Sequence, residues 1–237
     1  MPETQPEPVA ADVRDRLVLS LDTDDLVEAL RMARELAPWF GVAKIGMELF
    51  SAAGPESVAA LSARGWKVLL DLKLHDVPTT IGRTAQVLGA LGASYVTLHA
   101  QGGAQMLRAA VEGLNAGAER AGVPVPLGVA VTTFTSDDSA PPHILGKRVA
   151  TAVEGGCLGI VCAASDVAEA KQLAPRILAI VPGIRLSVGA DPHPVRASTP
   201  EAAVQAGADL LVVGRAVTGA ADRCAAAAAV ALAVAGS

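Results

Sequence analysis

The chain has 237 residues, 51% hydrophobic and 18% charged, a balance that excludes intrinsic disorder and can fill a sizeable core. Aromatic residues are only 3%, so Ala, Val, Leu and Gly must do the packing, which argues against a Tyr/Trp-rich recognition module. Nineteen Lys and Arg against 24 Asp and Glu leave a formal charge of −5; this excludes a general nucleic-acid binder with a basic stripe, while a small anion held by a few local cations stays possible.

The opening MPETQPEPVAADVRD is acidic and Pro-rich, with no apolar segment. It is expected to be a short flexible tail over residues 1–14 rather than a secretory signal. From residue 15 onward one rhythm repeats. A strand at 16–21 precedes a helix at 25–37, and a strand at 42–45 precedes a helix at 55–64. Strand 67–72 is followed by helix 80–91, strand 94–99 by helix 104–121, and strand 127–131 by helix 143–155. Strand 158–162 leads to helix 165–173, strand 177–181 to helix 200–206, and strand 209–213 to helix 219–235. Asp24, Ser165 and Thr199-Pro200-Glu201 read as helix starts, and Gly65, Gly92, Gly122 and Gly207 as helix ends.

Strands apolar on both faces imply a parallel sheet. Eight strand–helix units without a linker imply one α/β domain, a single (β/α)8 TIM barrel over residues 15–237. A doubly wound sheet would carry GxGxxG after the first strand, where the chain has Asp22-Thr23-Asp24. Cys157, Cys162 and Cys224 lie in apolar stretches without a CxxC pair, and read as buried free thiols. The apolar run 225–235 is too short to span a bilayer. These features together imply a soluble cytoplasmic protein.

Barrel chemistry belongs to the C-terminal strand ends, and the scarce charges gather there. Asp22 follows the first strand, Lys44 lies in the second, and Asp71 and Lys73 close the third, with His75 and Asp76 just beyond. Asp71 and Lys73, two apart, point to one side of an extended strand. Lys44 and Asp22 can face the same lumen, giving an alternating Asp/Lys array. A structural ion-pair network is the plainer reading of any Asp-x-Lys alone. Four charges from three strands favour function. A lysine caged by carboxylates stays protonated and suits proton donation rather than Schiff-base chemistry.

A second cluster suits phosphate. Gly214-Arg215 sits where the last strand meets a helix, and Arg185, in VPGIR, follows the seventh strand. Glycine lets backbone amides approach an anion, and arginine adds a bidentate donor. His99 reads as a hydrogen-bonded barrel residue, His143 and His193 as loop residues without metal-ligand spacing, and Asp137-Asp138 as a solvated loop.

DLKLHDVPTTI at 71–81, with AKIGMELF at 43–50, VTLHAQGG at 96–103, VPGIR at 181–185 and VVGRAVT at 212–218, resembles the orotidine 5′-phosphate decarboxylase family over nearly the whole chain. The resemblance implies loss of CO2 from orotidine 5′-phosphate to give UMP, with no metal or organic cofactor. It implies Lys73 as proton donor to C6 and Asp71 against the departing carboxylate. Asp22 and Lys44 then engage the ribose hydroxyls and the charge network, with Lys44 counted with Lys73, Asp71 and Asp76 as catalytic, and Asp76 reaches the neighbouring site of a homodimer. Thr80 and Thr132 match ligand-contacting positions, and Arg185, Gly214 and Arg215 match phosphate-binding ones. One departure stands out. The family's glutamine nine residues after the arginine falls here on Pro194, so either His193 or Arg196 makes that contact or the phosphate is gripped more weakly.

Two other readings stay open. A Mg2+-dependent hexulose-phosphate synthase shares the Asp-x-Lys-x-x-Asp run, but carries a carboxylate in place of Lys44. A non-catalytic phosphate-binding barrel would have no use for the Asp/Lys array.

Overall fold

The computed structural model describes residues 9–133, 143–186 and 196–237. Eight parallel strands close into one barrel in chain order, with β1 (Leu17–Leu21) and β8 (Leu210–Val213) completing the ring through the pairs Leu17↔Leu211, Val18↔Val212 and Leu19↔Val213. Between them run β2 (Val42–Gly46), β3 (Lys67–Leu74), β4 (Tyr95–His99), β5 (Leu127–Val131), β6 (Gly159–Val161) and β7 (Leu178–Val181). The expected (β/α)8 barrel is the observed fold.

Period-two alternation divides each strand between two cores. Val18, Val42, Leu69, Val129, Ile180, Leu210 and Val212 fill the barrel interior as one cluster. Their strand neighbours Leu19, Ala43, Leu70, Ala130, Ala179, Leu211 and Val213 pack outward in the larger cluster shared with the helices. The same parity, carried one step further along each strand, brings Ser20, Lys44, Asp71 and Thr97 to the mouth.

The helices follow the expected order: α2 (Leu26–Leu36), α4 (Pro55–Ser62), α5 (Pro78–Gly89), α6 (Gly103–Ala121), α7 (Ile144–Glu154), α8 (Ala164–Leu173), α9 (Pro200–Gln205) and α11 (Arg223–Ala235). Their starts differ in detail. The cap of α2 is Asp25, which accepts from the Val27 and Glu28 amides, and Ser165 lies inside α8. Thr199 caps α9 as expected, accepting from the Ala202 amide. Gly122 ends α6 in the left-handed conformation that glycine tolerates.

Three short helices escaped the periodicity. The first, α1 (Ala11–Arg16), begins inside the segment expected as tail, because Val13 is buried and Val9 packs against the core. The others, α3 (Met47–Ala53) and α10 (Arg215–Thr218), are too short to show a helical repeat. The helices α5 and α6 approach backbone to backbone: a Cβ on Gly117 would stand 2.0 Å from the Gln86 carbonyl, and one on Gly113 2.4 Å from that of Gly82. Cys157 and Cys162 are buried, with their thiols pushed up to about 12 by burial, whereas Cys224 is only partly buried because α11 turns it toward Glu35. No helix among the described residues is long and apolar enough to cross a membrane.

Candidate active site

The array at the mouth is built strand by strand. Ser20 of β1 lies beside Lys44 of β2, and Gly46 beside Asp71 of β3. Asp22, one residue past β1, accepts the Ser20 hydroxyl at 2.8 Å on one oxygen and the Lys44 ammonium at 2.8 Å on the other. Lys44 Nζ is also 4.0 Å from Asp71 Oδ2, the oxygen that Lys73 Nζ meets at 2.7 Å. Signs therefore alternate along Asp22, Lys44, Asp71 and Lys73. A Cβ at Gly46 would sit 3.2 Å from Lys44 Nζ and 3.3 Å from Asp22 Oδ1, so glycine leaves the room in which that pair forms.

Water reaches the two ends of the array, Asp22 and Lys73, more than its middle. The side chains of Lys44 and Asp71 are 12% and 13% exposed, against 55% for Asp22. Burial pushes the Asp22 carboxyl upward, but the charge and hydrogen bond of Lys44, the Ser20 hydroxyl and the Lys73 charge outweigh it, and the net shift is below 3.8. A carboxyl lowered in the folded state contributes stability that is present above its unfolded value and lost as pH falls through the folded one. An Asp22→Asn chain should therefore lose stability less steeply on acidification below 3.8. Urea midpoints followed downward from neutral pH check this, and the difference should be small because the group is half exposed.

The third strand is not regular where it matters. Lys73 has φ 50°, the one non-glycine residue at positive φ among those described, a conformation uncommon for a side chain of this size and typical of functional sites. Its amide donates to Thr97 Oγ1 at 2.8 Å, and the Thr97 hydroxyl donates to Asp71 Oδ1 at 2.9 Å. The expected same-side placement of Asp71 and Lys73 is met, but through an irregular backbone rather than a straight strand.

These groups line a cavity of about 400 Å³, a volume suited to a small ligand. Leu69, Val131, Val161, Ile180 and Val212 supply its apolar surface. Pro182, Gly183, Ile184 and Arg185 after β7, and Gly214, Arg215 and Ala216 after β8, line the same cavity. Gly183 has φ 79°, which a side chain would strain. The Arg185 amide donates to the Ser198 carbonyl at 2.9 Å, and Ile184 bridges to Ser198, pinning the base of the β7 loop.

The other sequence candidates fall elsewhere. Asp76 and Thr80 are exposed around the start of α5, outside the cavity lining, and Asp76 Oδ1 accepts from the Val77 amide at 2.6 Å. Thr132 is buried, donates to the Val161 carbonyl at 2.9 Å and accepts the Arg148 guanidinium on its own carbonyl. Its neighbour Thr133 lines the cavity instead and donates to Asp166 at 2.9 Å. Arg196 is held by Asp166 and by Ser165 Oγ, also outside the lining. His193, Pro194, Asp137 and Asp138 lie outside the described residues.

His99 behaves as a hydrogen-bonded barrel residue. It accepts from the Gln101 amide at 3.2 Å and stacks on His75 with centroids 5.4 Å apart. Burial, then the nearby charges of His75, Arg148 and Lys73, lower its pKa. Ser20, Thr97 and Thr133 are the polar lining residues that motif reading missed. Parity could have found the first two, since each stands two residues before a site candidate or a strand-end histidine.

Comparison with known proteins agrees with this fold. A curated relative from Anaeromyxobacter sp. (strain K), named orotidine 5′-phosphate decarboxylase, is 41% identical over 92% of this chain and 97% of its own. One of the same name from Nitratidesulfovibrio vulgaris (strain DP4) is 42% identical over 90% and 95%. The crystal structure of orotidine 5′-phosphate decarboxylase from Lactobacillus acidophilus superposes with a TM-score of 0.79 at 32% identity, covering 93% of this chain and 99% of that one. The family model for orotidine 5′-phosphate decarboxylase / HUMPS matches residues 15–230. A match of that extent, on a barrel whose mouth carries the Asp/Lys array, makes the chain a member of the orotidine 5′-phosphate decarboxylase / HUMPS family.

Proposed function

We propose that this chain decarboxylates orotidine 5′-phosphate to UMP and CO2 in pyrimidine biosynthesis, with Lys73 delivering the proton to C6. The observation that carries the reading is the Lys73 ammonium, 2.7 Å from Asp71 within a cavity that Arg185 and Arg215 also line. Cleavage of the bond between C6 and the carboxylate leaves its electron pair on C6, where no carbonyl can delocalise it. A fixed ammonium stabilises that charge as it develops. It then gives its proton to C6, and the neutral amine regains one from water. Asp71 faces the departing carboxylate and fixes the Lys73 ammonium through their 2.7 Å contact. No step calls on a metal or organic cofactor.

Asp22 and Lys44 take the ribose hydroxyls, and Arg185, Gly214 and Arg215 take the phosphate. The support for Thr80 and Thr132 as ligand contacts is the motif match alone. We assign Asp76 to the site of a second copy in a homodimer, a reading supported by the motif match and by its exposure outside its own cavity.

The Mg2+-dependent aldolase of the same family needs a carboxylate where this chain has Lys44, whose ammonium is paired with Asp22. The absorbance loss of orotidine 5′-phosphate, followed with EDTA present, separates the readings. Undiminished turnover in the chelator is expected. No loss of orotidine 5′-phosphate with or without the chelator would favour the aldolase if UMP does not bind, and a silent binder if UMP binds tightly.

A further inference from the structure

We propose that Thr97 is a positioning residue for this reaction: its buried hydroxyl ties the left-handed Lys73 backbone to the Asp71 carboxylate, and so sets where the Lys73 ammonium stands. The inference rests on the decarboxylase reading and deepens it.

The reason lies in the ladder between β3 and β4. Leu69 pairs with Tyr95 and Leu70 with Val96, but the next pair is Leu74 with Leu98. Four residues of β3 thus span two of β4, and the surplus falls on the stretch that holds Asp71 and Lys73. Such irregularities re-aim side chains next to active sites, and they leave backbone groups without ladder partners. Thr97, between Val96 and Leu98, faces the surplus. Its hydroxyl accepts the Lys73 amide at 2.8 Å, supplying the partner that a regular ladder would have found in a carbonyl.

The same hydroxyl has one proton to give, and it gives it to Asp71 Oδ1 at 2.9 Å. The two oxygens of Asp71 are thereby divided: Oδ1 takes Thr97, and Oδ2 takes Lys73 Nζ at 2.7 Å. Amide, hydroxyl, carboxylate and ammonium close a loop that begins and ends on Lys73. Thr97 is 0% exposed, so both bonds are made out of reach of water. A left-handed lysine persists only where its surroundings over-determine it, and this hydroxyl is one of the groups that do so.

The test compares Thr97→Ser, Thr97→Ala and Thr97→Val with the unchanged chain, measuring kcat, KM and UMP affinity. Ser and Ala both lose the methyl group, and only Ala loses the hydroxyl, so that pair decides the matter even if the Val chain does not fold. Ala and Val should lose about 10- to 100-fold in kcat, as misplacement of a reacting group does, with KM and UMP affinity little changed, while Ser keeps kcat. Equal losses in Ser and Ala would overturn the proposal by showing that packing is what counts, and so would an Ala chain with full kcat or one changed only in KM. If the unchanged chain has no turnover, the decarboxylase reading fails by itself. A crystal structure of the Ala variant then decides the local claim, which is overturned if Lys73 keeps its positive φ and its contact with Asp71.

Discussion

A Lys73→Ala chain is expected to lose roughly 10⁴-fold or more in kcat, since it gives up both a positioned general acid and the electrostatic stabilisation of the developing carbanion. That loss corresponds to about 5 kcal/mol of transition-state stabilisation. Among the described residues lining the cavity, one other ammonium could take over, and it is held elsewhere. The other ammonium, Lys44, is 2.8 Å from Asp22 and 4.0 Å from Asp71, and is 12% exposed within the array. UMP affinity should stay close to that of the unchanged chain, because UMP has no carboxylate to meet Asp71 and, on the proposed reading, its phosphate is held by Arg185 and Arg215. Single-turnover rates and UMP titration check the two halves. A variant that keeps turnover would remove Lys73 from the chemistry. One that loses UMP binding as well would show that the array shapes the pocket rather than the reaction.

Arg215→Ala is expected to lower kcat/KM roughly 10- to 150-fold, the worth of about 1.5–3 kcal/mol for hydrogen bonds to a charged group. The side chain is exposed at the start of α10, so its removal should cost the fold little. The loss should appear in kcat as well as in KM. Phosphate is remote from C6, and remote binding energy supports the reacting centre only when the whole substrate is gripped. Initial rates over a range of substrate concentrations check this. An unchanged kcat/KM would take Arg215 away from the phosphate, leaving Gly214 and Arg185 on that side of the cavity.

The Lys73 and Arg215 positions were both legible without coordinates, and the reason is the same. A strand that must be apolar on both faces makes any charge at its end conspicuous, so Asp71, Lys73 and Arg215 stood out by position alone. Thr97 and Ser20 did not. A threonine or serine within a strand is ordinary, and only its neighbours across the ladder give it a role. Thr132 and Thr133 show the limit most plainly. Adjacent hydroxyls at one strand end differ by one step of parity, so one donates to the Val161 carbonyl while the other lines the cavity. The short helices α3 and α10 also escaped, since fewer than two turns leave no repeat to read.

Alternating apolar strands and helices, with charges confined to strand ends, determined the barrel and the mouth at which its chemistry sits. Those are local properties of composition and period, and the sequence carries them in full. The spacing of the charges across different strands is another matter. The alternating order of Asp22, Lys44, Asp71 and Lys73 depends on the stagger of β1, β2 and β3. The left-handed turn at Lys73 depends on a mismatch between β3 and β4. Only tertiary structure decides such things, because hydrogen-bond register between strands is set by the closure of the whole ring rather than by any one segment.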